Sequence, residues 1–390
     1  MHICIVSPDY PTSKTIDFVF VDQLCRALAL KGIDVTVIAP QSITKCLLRH
    51  VPITKRKQRI YISKDVFFTL IRPKYISVGN TKGILKHHNG NAYRKAVQRG
   101  YKQINTAVDV LYGHFWGAVL AAYYVARKRR IPLIASSGEE IINQKRIGYT
   151  NEQIQNVGDY VSGIIHVSSN NFNECKEIGL TRNNKSIVIP NAINDKLFYL
   201  HNRERCRTKL NIKSDDFVGA FVGQFIPRKG TLRVNAALKE LNDNRIKAFF
   251  IGRGPDMPDY SGIKKCGLVP HDKLPEYLSA SDIFVLPTEN EGCCNAIIEA
   301  LACGLPVISS NRPFNFDILN NSNSVLVEPN SISDIAATIK MLQSDSKLRS
   351  KLSTGALNTV KSLTLEQRAD RVLNFIKERI EYDRIKAGTK

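Results

Sequence analysis

The chain has 390 residues, 43% of them hydrophobic, with 56 Lys and Arg against 35 Asp and Glu and a formal net charge of +21. This length exceeds one ordinary α/β domain and fits two of roughly 150–200 residues, and no apolar run reaches the ~18–20 residues that span a bilayer. The opening MHICIVSPDYPTSK has neither a basic n-region nor a small-residue cleavage site, so it reads as a first strand of a cytosolic protein.

In chain order, HICIVSP is a short apolar run, FVFVDQLCRALALKG has helical spacing closed by Gly32, and IDVTVIAP is a second apolar run. This is strand, helix, strand, the pattern of a parallel pair with a crossover helix. Residues 45–104 break the rhythm: they are basic, weakly periodic and dotted with aromatics, and are expected as surface excursions and amphipathic helices. DVLYGHFW, IPLIASS, GIIHVS and KSIVIPN then continue as strands between helical stretches. After a polar HNRERCRTKLNIKSDD the pattern restarts with FVGAFVGQF, IKAFFIG, GIKKCGLV, IFVLPT, LPVISS and NSVLVEP. The expected architecture is two doubly wound α/β domains, 1–198 and 214–365, joined by a linker at 199–213. An amphipathic last helix, LEQRADRVLNFIKERIEYDRIK, has no strand after it.

The nine cysteines form no C-x-x-C pair and no Cys/His zinc spacing, which suits free thiols in a reducing compartment. Charge is unevenly spread. Residues 1–200 carry a net +15 and residues 201–390 a net +6. A field of that size favours an anionic partner: nucleic acid, an acidic membrane surface or a phosphorylated acceptor. A basic surface that only aids solubility is the plainer reading.

The chemistry concentrates in DIFVLPTENEGCCNAIIEALACGLPVIS, residues 282–309. A buried strand ends in a turn and a helix follows from about Asn295, with Glu291 on the turn and Glu299 on the helix. Between them, Gly292, Cys293, Cys294 and Asn295 can present backbone N–H groups at a helix N-terminus, which favours phosphate. Glu299 is then placed to accept hydrogen bonds from sugar hydroxyls, and Glu291 to reach a second sugar. No acidic pair stands at a strand end in the manner of a metal-binding D-x-D.

The run E-G-x-x-N-x-x-x-E followed by A-x-A-C-G-x-P-V resembles the E-x7-E signature of family 4 retaining glycosyltransferases, which adopt the GT-B fold, two Rossmann-like domains facing across a cleft. The resemblance covers nearly the whole chain. IVIPNAINDKLF is similar to the family's V-x-P-N-G-V-D turn, with Ala192 and Asn194 in place of Gly and Asp; FVGQFIPRKG and FFIGRGP are similar to two strand-end turns of the second domain. It implies that Lys229 clamps the donor pyrophosphate, beside Gly223. The family's Arg partner is replaced by Gln224, and the neighbouring Arg228 is the alternative source of that charge. Gly252 falls in the G-x-G turn, and Val269 where the family holds the nucleotide base through backbone groups. The first domain would bind the acceptor, and the last helix, 366–390, would pack back on it.

On the acceptor side the resemblance implies a role for His114 at a strand end, where a structural histidine beside Trp116 is the other reading. The family's second histidine is absent, and Glu139 and Glu140 stand there, either as acceptor contacts or as caps of the next helix. No glycine-rich turn follows the first strand in SPDYPTSKTIDFVF. The reading is therefore a metal-independent hexosyltransferase. It would use a nucleotide-diphosphate sugar and no cofactor, and extend a glycan or lipid-linked acceptor in cell-surface polysaccharide synthesis. It is expected at the inner face of the membrane through basic segments around 45–59 and 82–102. A sugar-nucleotide epimerase or phosphorylase on the same fold stays open, and a nucleic-acid-binding protein is the alternative from another class; no nucleic-acid motif supports it.

Overall fold

The computed structural model describes residues 1–12, 18–78, 84–143, 147–181 and 185–388, the side chains at 84–87 and 387–388 excepted. The chain forms two compact units, residues 1–189 with 365–390, and residues 190–364.

In unit 1 an eight-stranded sheet has the order β10-β9-β8-β7-β1-β2-β5-β4. Its strands are β1 (His2–Val6), β2 (Asp34–Ile38), β4 (Lys57–Tyr61), β5 (Phe67–Ile71), β7 (Val110–His114), β8 (Leu133–Ser137), β9 (Gly163–His166) and β10 (Ser186–Val188). A two-stranded parallel pair, β3 (Gln41–Ser42) and β6 (Lys74–Tyr75), lies apart from it. All pairings in the main sheet are parallel except β4 with β5. Alternation along β1 explains the layers, because successive side chains of a strand point to opposite faces. Ile3 and Ile5 join a core with Val21, Leu24 and Leu28 of α1 (Val19–Leu30), whereas Cys4 and Val6 join one with Trp116, Val119 and Ala122 of α4 (Trp116–Arg129).

The stretch expected to lie on the surface, 45–104, does not do so throughout. VFFTLIRP supplies β5, and Phe68, Leu70 and Ile71 are buried beside β2. The remainder gives α2 (Ile43–Leu48), the edge strand β4 and the long helix α3 (Ile84–Tyr101).

Unit 2 holds a six-stranded parallel sheet in the order β13-β12-β11-β14-β15-β16. These strands are β11 (Phe217–Val222), β12 (Ile246–Ile251), β13 (Ile263–Gly267), β14 (Ile283–Leu286), β15 (Val307–Ser310) and β16 (Ser324–Val327). The order reverses between β11 and β14, so loops leaving their carboxyl ends diverge and open a crevice there.

The expected linker at 199–213 is part of unit 2 instead. It folds as a helix, Arg203–Lys209, whose Arg207 is buried against Asp282 at 2.7 Å and the Ala280 carbonyl at 3.0 Å. Such an ion pair fixes a segment rather than letting it swing. The chain passes between units at Ile189–Pro190 and again at Thr364–Leu365. The first unit thus ends nine residues before the expected 198. The last helix, Leu365–Gly388, belongs to unit 1, where Ala369, Val372, Phe375 and Ile376 are buried in the core that α1 shares.

Candidate functional site

Four strand ends of unit 2 bring most of the singled-out residues to one edge. Gly223 and Gln224 follow β11, Gly252 follows β12, Val269 follows β13, and Glu291 to Asn295 follow β14. β11 and β14 are the strands at which the order reverses, so the two loops carrying Lys229 and Glu291 are neighbours.

Pro227–Lys229 form one 3-10 turn, and Gly230 at φ 80° lets the chain enter the helix Thr231–Leu241. The turn projects two cations at one carboxylate. Lys229 Nζ donates to Glu291 Oε1, and Arg228 Nη1 donates to the same oxygen at 3.0 Å and to the Asn290 carbonyl at 2.6 Å. Thr288 Oγ1 donates to that oxygen as well, at 2.9 Å. Burial acts against the Lys229 ammonium, but the Cys294 sulfur and Glu291 more than offset it and hold its pKa above the ordinary value. Two cations on one carboxylate leave a net positive charge for an incoming anion. Gln224, at the expected arginine position, is exposed.

The turn Gly252-Arg253-Gly254 packs directly on this loop. A Cβ on Gly252 would lie 1.8 Å from the Gly223 carbonyl oxygen, and one on Gly254 2.2 Å from that of Phe225. Only glycine fits at either place. Gly223 itself has ordinary space for a Cβ, so its identity is not sterically required.

The helix Asn295–Ala302 starts after Cys294, which is in an extended conformation, and no side chain caps it. Its entry is pinned from elsewhere in the unit: Asn191 Nδ2 donates to the Cys293 carbonyl at 3.2 Å and to Asn295 Oδ1 at 2.9 Å. Cys294 is buried, and burial pushes its thiol up to about 11. Glu299, one turn into the helix, pairs with His271 Nε2 at 2.9 Å. That hydrogen bond raises the His271 pKa, outweighing the opposing desolvation. Val269 is partly buried against the core.

His271, Thr288 and Asn191 were not singled out in the sequence. His271 carries no local signal, since a loop histidine acquires a partner only through tertiary contact, whereas Thr288 stands three residues before Glu291 in the same turn. Asn191 lay within the V-x-P-N resemblance, and that match was the one available clue.

His114 and Glu139 lie in unit 1. His114 ends β7 and is buried, its ring 4.7 Å from Phe115 and 5.1 Å from Phe20 between centroids. Burial, with Arg368 adding to it, lowers its pKa to about 3, and Nδ1 has no hydrogen-bond partner. It is a neutral imidazole. Phe115, at φ 68°, turns the chain sharply from β7 into α4. Glu139 does not cap the next helix but the preceding one. Its Oε1 accepts the Trp116 N–H at 2.5 Å, the first residue of α4, and its Oε2 accepts the Gly138 N–H at 3.0 Å. Desolvation raises its pKa to about 7 despite these bonds.

Among the described residues, no group of three or more His, Cys, Asp or Glu is gathered to hold a metal ion, and no helix is long and apolar enough to cross a membrane.

Two family models match successive parts of the chain: Glycosyltransferase Family 4 over residues 18–197 and Glycosyl transferases group 1 over residues 202–359. Among curated proteins, the chain is 26% identical over 374 residues to the "Putative teichuronic acid biosynthesis glycosyltransferase TuaC" of Bacillus subtilis (strain 168), covering 93% of this chain and 94% of that one. It is 32% identical over 206 residues to the UDP-Gal:alpha-D-GlcNAc-diphosphoundecaprenol alpha-1,3-galactosyltransferase of Escherichia coli, covering 48% and 53%. Among solved structures, sucrose-phosphate synthase from Thermosynechococcus elongatus has a TM-score of 0.76 at 18% identity, over 97% of this chain and 98% of that one. HepE of Anabaena in complex with UDP and glucose has a TM-score of 0.70 at 16% identity, over 97% and 100%. At these identities the solved structures speak to the fold.

Proposed function

The chain belongs to the family 4 glycosyltransferases, with the GT-B fold and a place in glycan biosynthesis, and from that premise we propose that it is a retaining, metal-independent hexosyltransferase using a nucleotide-diphosphate sugar. One observation carries the reading: the pairing of Lys229 and Arg228 with Glu291 at the strand-order reversal of unit 2, beside an uncapped helix N-terminus.

In this mechanism the bond between the sugar anomeric carbon and the diphosphate oxygen breaks, and a bond from the acceptor oxygen to that carbon forms on the same face. The departing phosphate oxygen takes the acceptor proton. Charge develops on the diphosphate, so fixed cations and N–H donors aimed at it lower the barrier. Lys229, Arg228 and the amides from Gly292 to Asn295 fill that role, and no metal is required. Arg228 supplies the charge that Gln224 lacks. Glu291, released from one cation as the diphosphate binds, is free to accept from sugar hydroxyls, and Glu299, oriented by His271, accepts from the hydroxyls of the nucleotide sugar. Val269 and Gly252 shape the base and phosphate ends through backbone.

Unit 1 receives the acceptor, with His114 and Glu139 on its side of the reaction, and a glycan or lipid-linked acceptor at an anionic membrane surface fits its positive charge. Residues 82–83 of the second basic segment lie outside the described residues. Two relatives support the acceptor class by name: one a teichuronic acid enzyme, the other using a diphosphoundecaprenol-linked sugar. The test is transfer from radiolabelled UDP-sugars by wild type, Lys229→Ala and Glu299→Ala. Full transfer by folded variants would refute the site, and a sugar nucleotide altered without any acceptor would favour an epimerase.

A further inference from the structure

In unit 1 the carboxyl ends of three adjacent strands, β1, β2 and β5, enclose a cavity of about 80 Å³. Its wall includes Lys45, Arg49 and Arg72, with Asp9 as the one carboxylate among the described residues. By volume it holds several waters or a compact polyatomic anion.

Arg72 is the unusual member. It follows β5 directly and is 1% exposed, in a position where arginine is rare. Nη2 donates to Asp9 Oδ1 at 2.6 Å and Nη1 to the Tyr10 carbonyl at 3.3 Å, while the buried Nε–H has no acceptor. Asp9 is half exposed, so the buried guanidinium has only a partly solvated counter-ion. A buried cation with an unused N–H beside a polar cavity is costly unless an anion completes it. Lys45 and Arg49 are exposed and line the same cavity, which gives it long-range attraction for negative charge.

A larger groove, about 1200 Å³, shares Pro8, Lys45 and Tyr75 with this cavity and continues along α3 and α4 over Tyr93, Leu120 and Tyr124. An occupant anchored at Arg72 therefore has a largely apolar path for the rest of its length.

The geometry points to an oxyanion subsite in unit 1, with Arg72 at its base and Lys45 and Arg49 at its rim, that takes the phosphate of a phosphorylated acceptor. This rests on the reading that unit 1 receives the acceptor. The planar guanidinium offers a fork of N–H donors to two phosphate oxygens. The exposed cations draw the anion in and hold it by charge alone.

The test is calorimetric titration of the full-length protein with inorganic pyrophosphate at low salt. Wild type is compared with Lys45→Ala/Arg49→Ala, Arg72→Lys and Lys229→Ala. The double variant changes only exposed side chains, so it keeps the test decisive even if the buried Arg72 tolerates no change. We expect a binding component that weakens about tenfold or more in the double variant and in Arg72→Lys, from loss of charge-assisted bonds, yet persists in Lys229→Ala. UDP binding measured on the same double variant should match wild type, which separates failure of this subsite from failure of the donor-site reading. Equal pyrophosphate affinity in wild type and double variant overturns the subsite. So does a double variant that loses only co-sedimentation with phosphatidylglycerol vesicles, because its cations would then serve a membrane surface.

Discussion

Glu291 holds two cations and a hydroxyl on one oxygen, and that crowding defines what the site can do. An isolated carboxylate would repel a diphosphate; this one leaves excess positive charge. Removing one preorganised donor to a developing oxyanion costs about 10²–10³ in rate, so Lys229→Ala is expected to lose kcat by that order in a transfer assay. Arg228→Ala should lose less, since its side chain also serves the Asn290 carbonyl. The His271–Glu299 pair gives a second residue-scale expectation. With its pKa raised by Glu299, His271 favours the folded protein fully below the ordinary imidazole value, and this contribution fades as pH rises through the raised folded value. Glu299→Gln should lower the His271 pKa in an NMR titration; an unmoved resonance would mean the pair does not form. Glu291 and Glu299 were singled out by their spacing along one strand-turn-helix unit, and Lys229, on the turn after β11, by the family resemblance. His271 was not, because a partner across loops leaves no trace in local sequence.

At the scale of elements, the G-R-G turn after β12 is tied to the turn after β11 by steric necessity. A Gly252→Ala side chain would overlap the Gly223 carbonyl, and overpacking of this kind costs about 1–3 kcal/mol. We expect a lower denaturation midpoint and weaker UDP binding together; unchanged UDP affinity would separate the turn from the site. The Glu139 cap belongs here too. Glu139→Ala leaves the Trp116 N–H at the start of α4 without its acceptor, a loss of about 1–3 kcal/mol by urea unfolding. Most strands were readable as short apolar runs between turn residues. β5 was not, because five residues set between basic stretches give little periodicity, and its burial comes from pairing with β2 and β4. Glu139 was expected as an acceptor contact or as a cap of the next helix, and its place at the start of α4 depended on how β7 and β8 lie side by side.

At the scale of the whole molecule, two doubly wound units were readable from the strand-helix rhythm restarting midway. Their limits were not. A polar, charged stretch at 199–213 resembles a linker, but Arg207 and Asp282 fix it inside unit 2. The last helix completes the unit 1 core, so truncation at residue 365 is expected to unfold unit 1, with a calorimetric transition lost, while unit 2 keeps nucleotide binding. Buried histidines set the acid limit of unit 1. His114 and His166 are held neutral by burial, each with a pKa of about 3 against 6.5. The unfolded chain therefore binds more protons between those values, and stability should fall as pH drops from about 6.5 toward 3. Glu139, raised to about 7, acts in the opposite sense between 4.5 and 7, so His114→Asn should flatten the acid slope and Glu139→Gln steepen it.

The central claim is a metal-free diphosphate site in unit 2, and a thermal-shift panel with UDP, GDP, ADP and CDP, with and without EDTA, tests it most directly. One nucleotide should raise the melting temperature in wild type, equally with EDTA, and much less in Lys229→Ala. A shift abolished by EDTA, or retained in full by Lys229→Ala, would contradict the account.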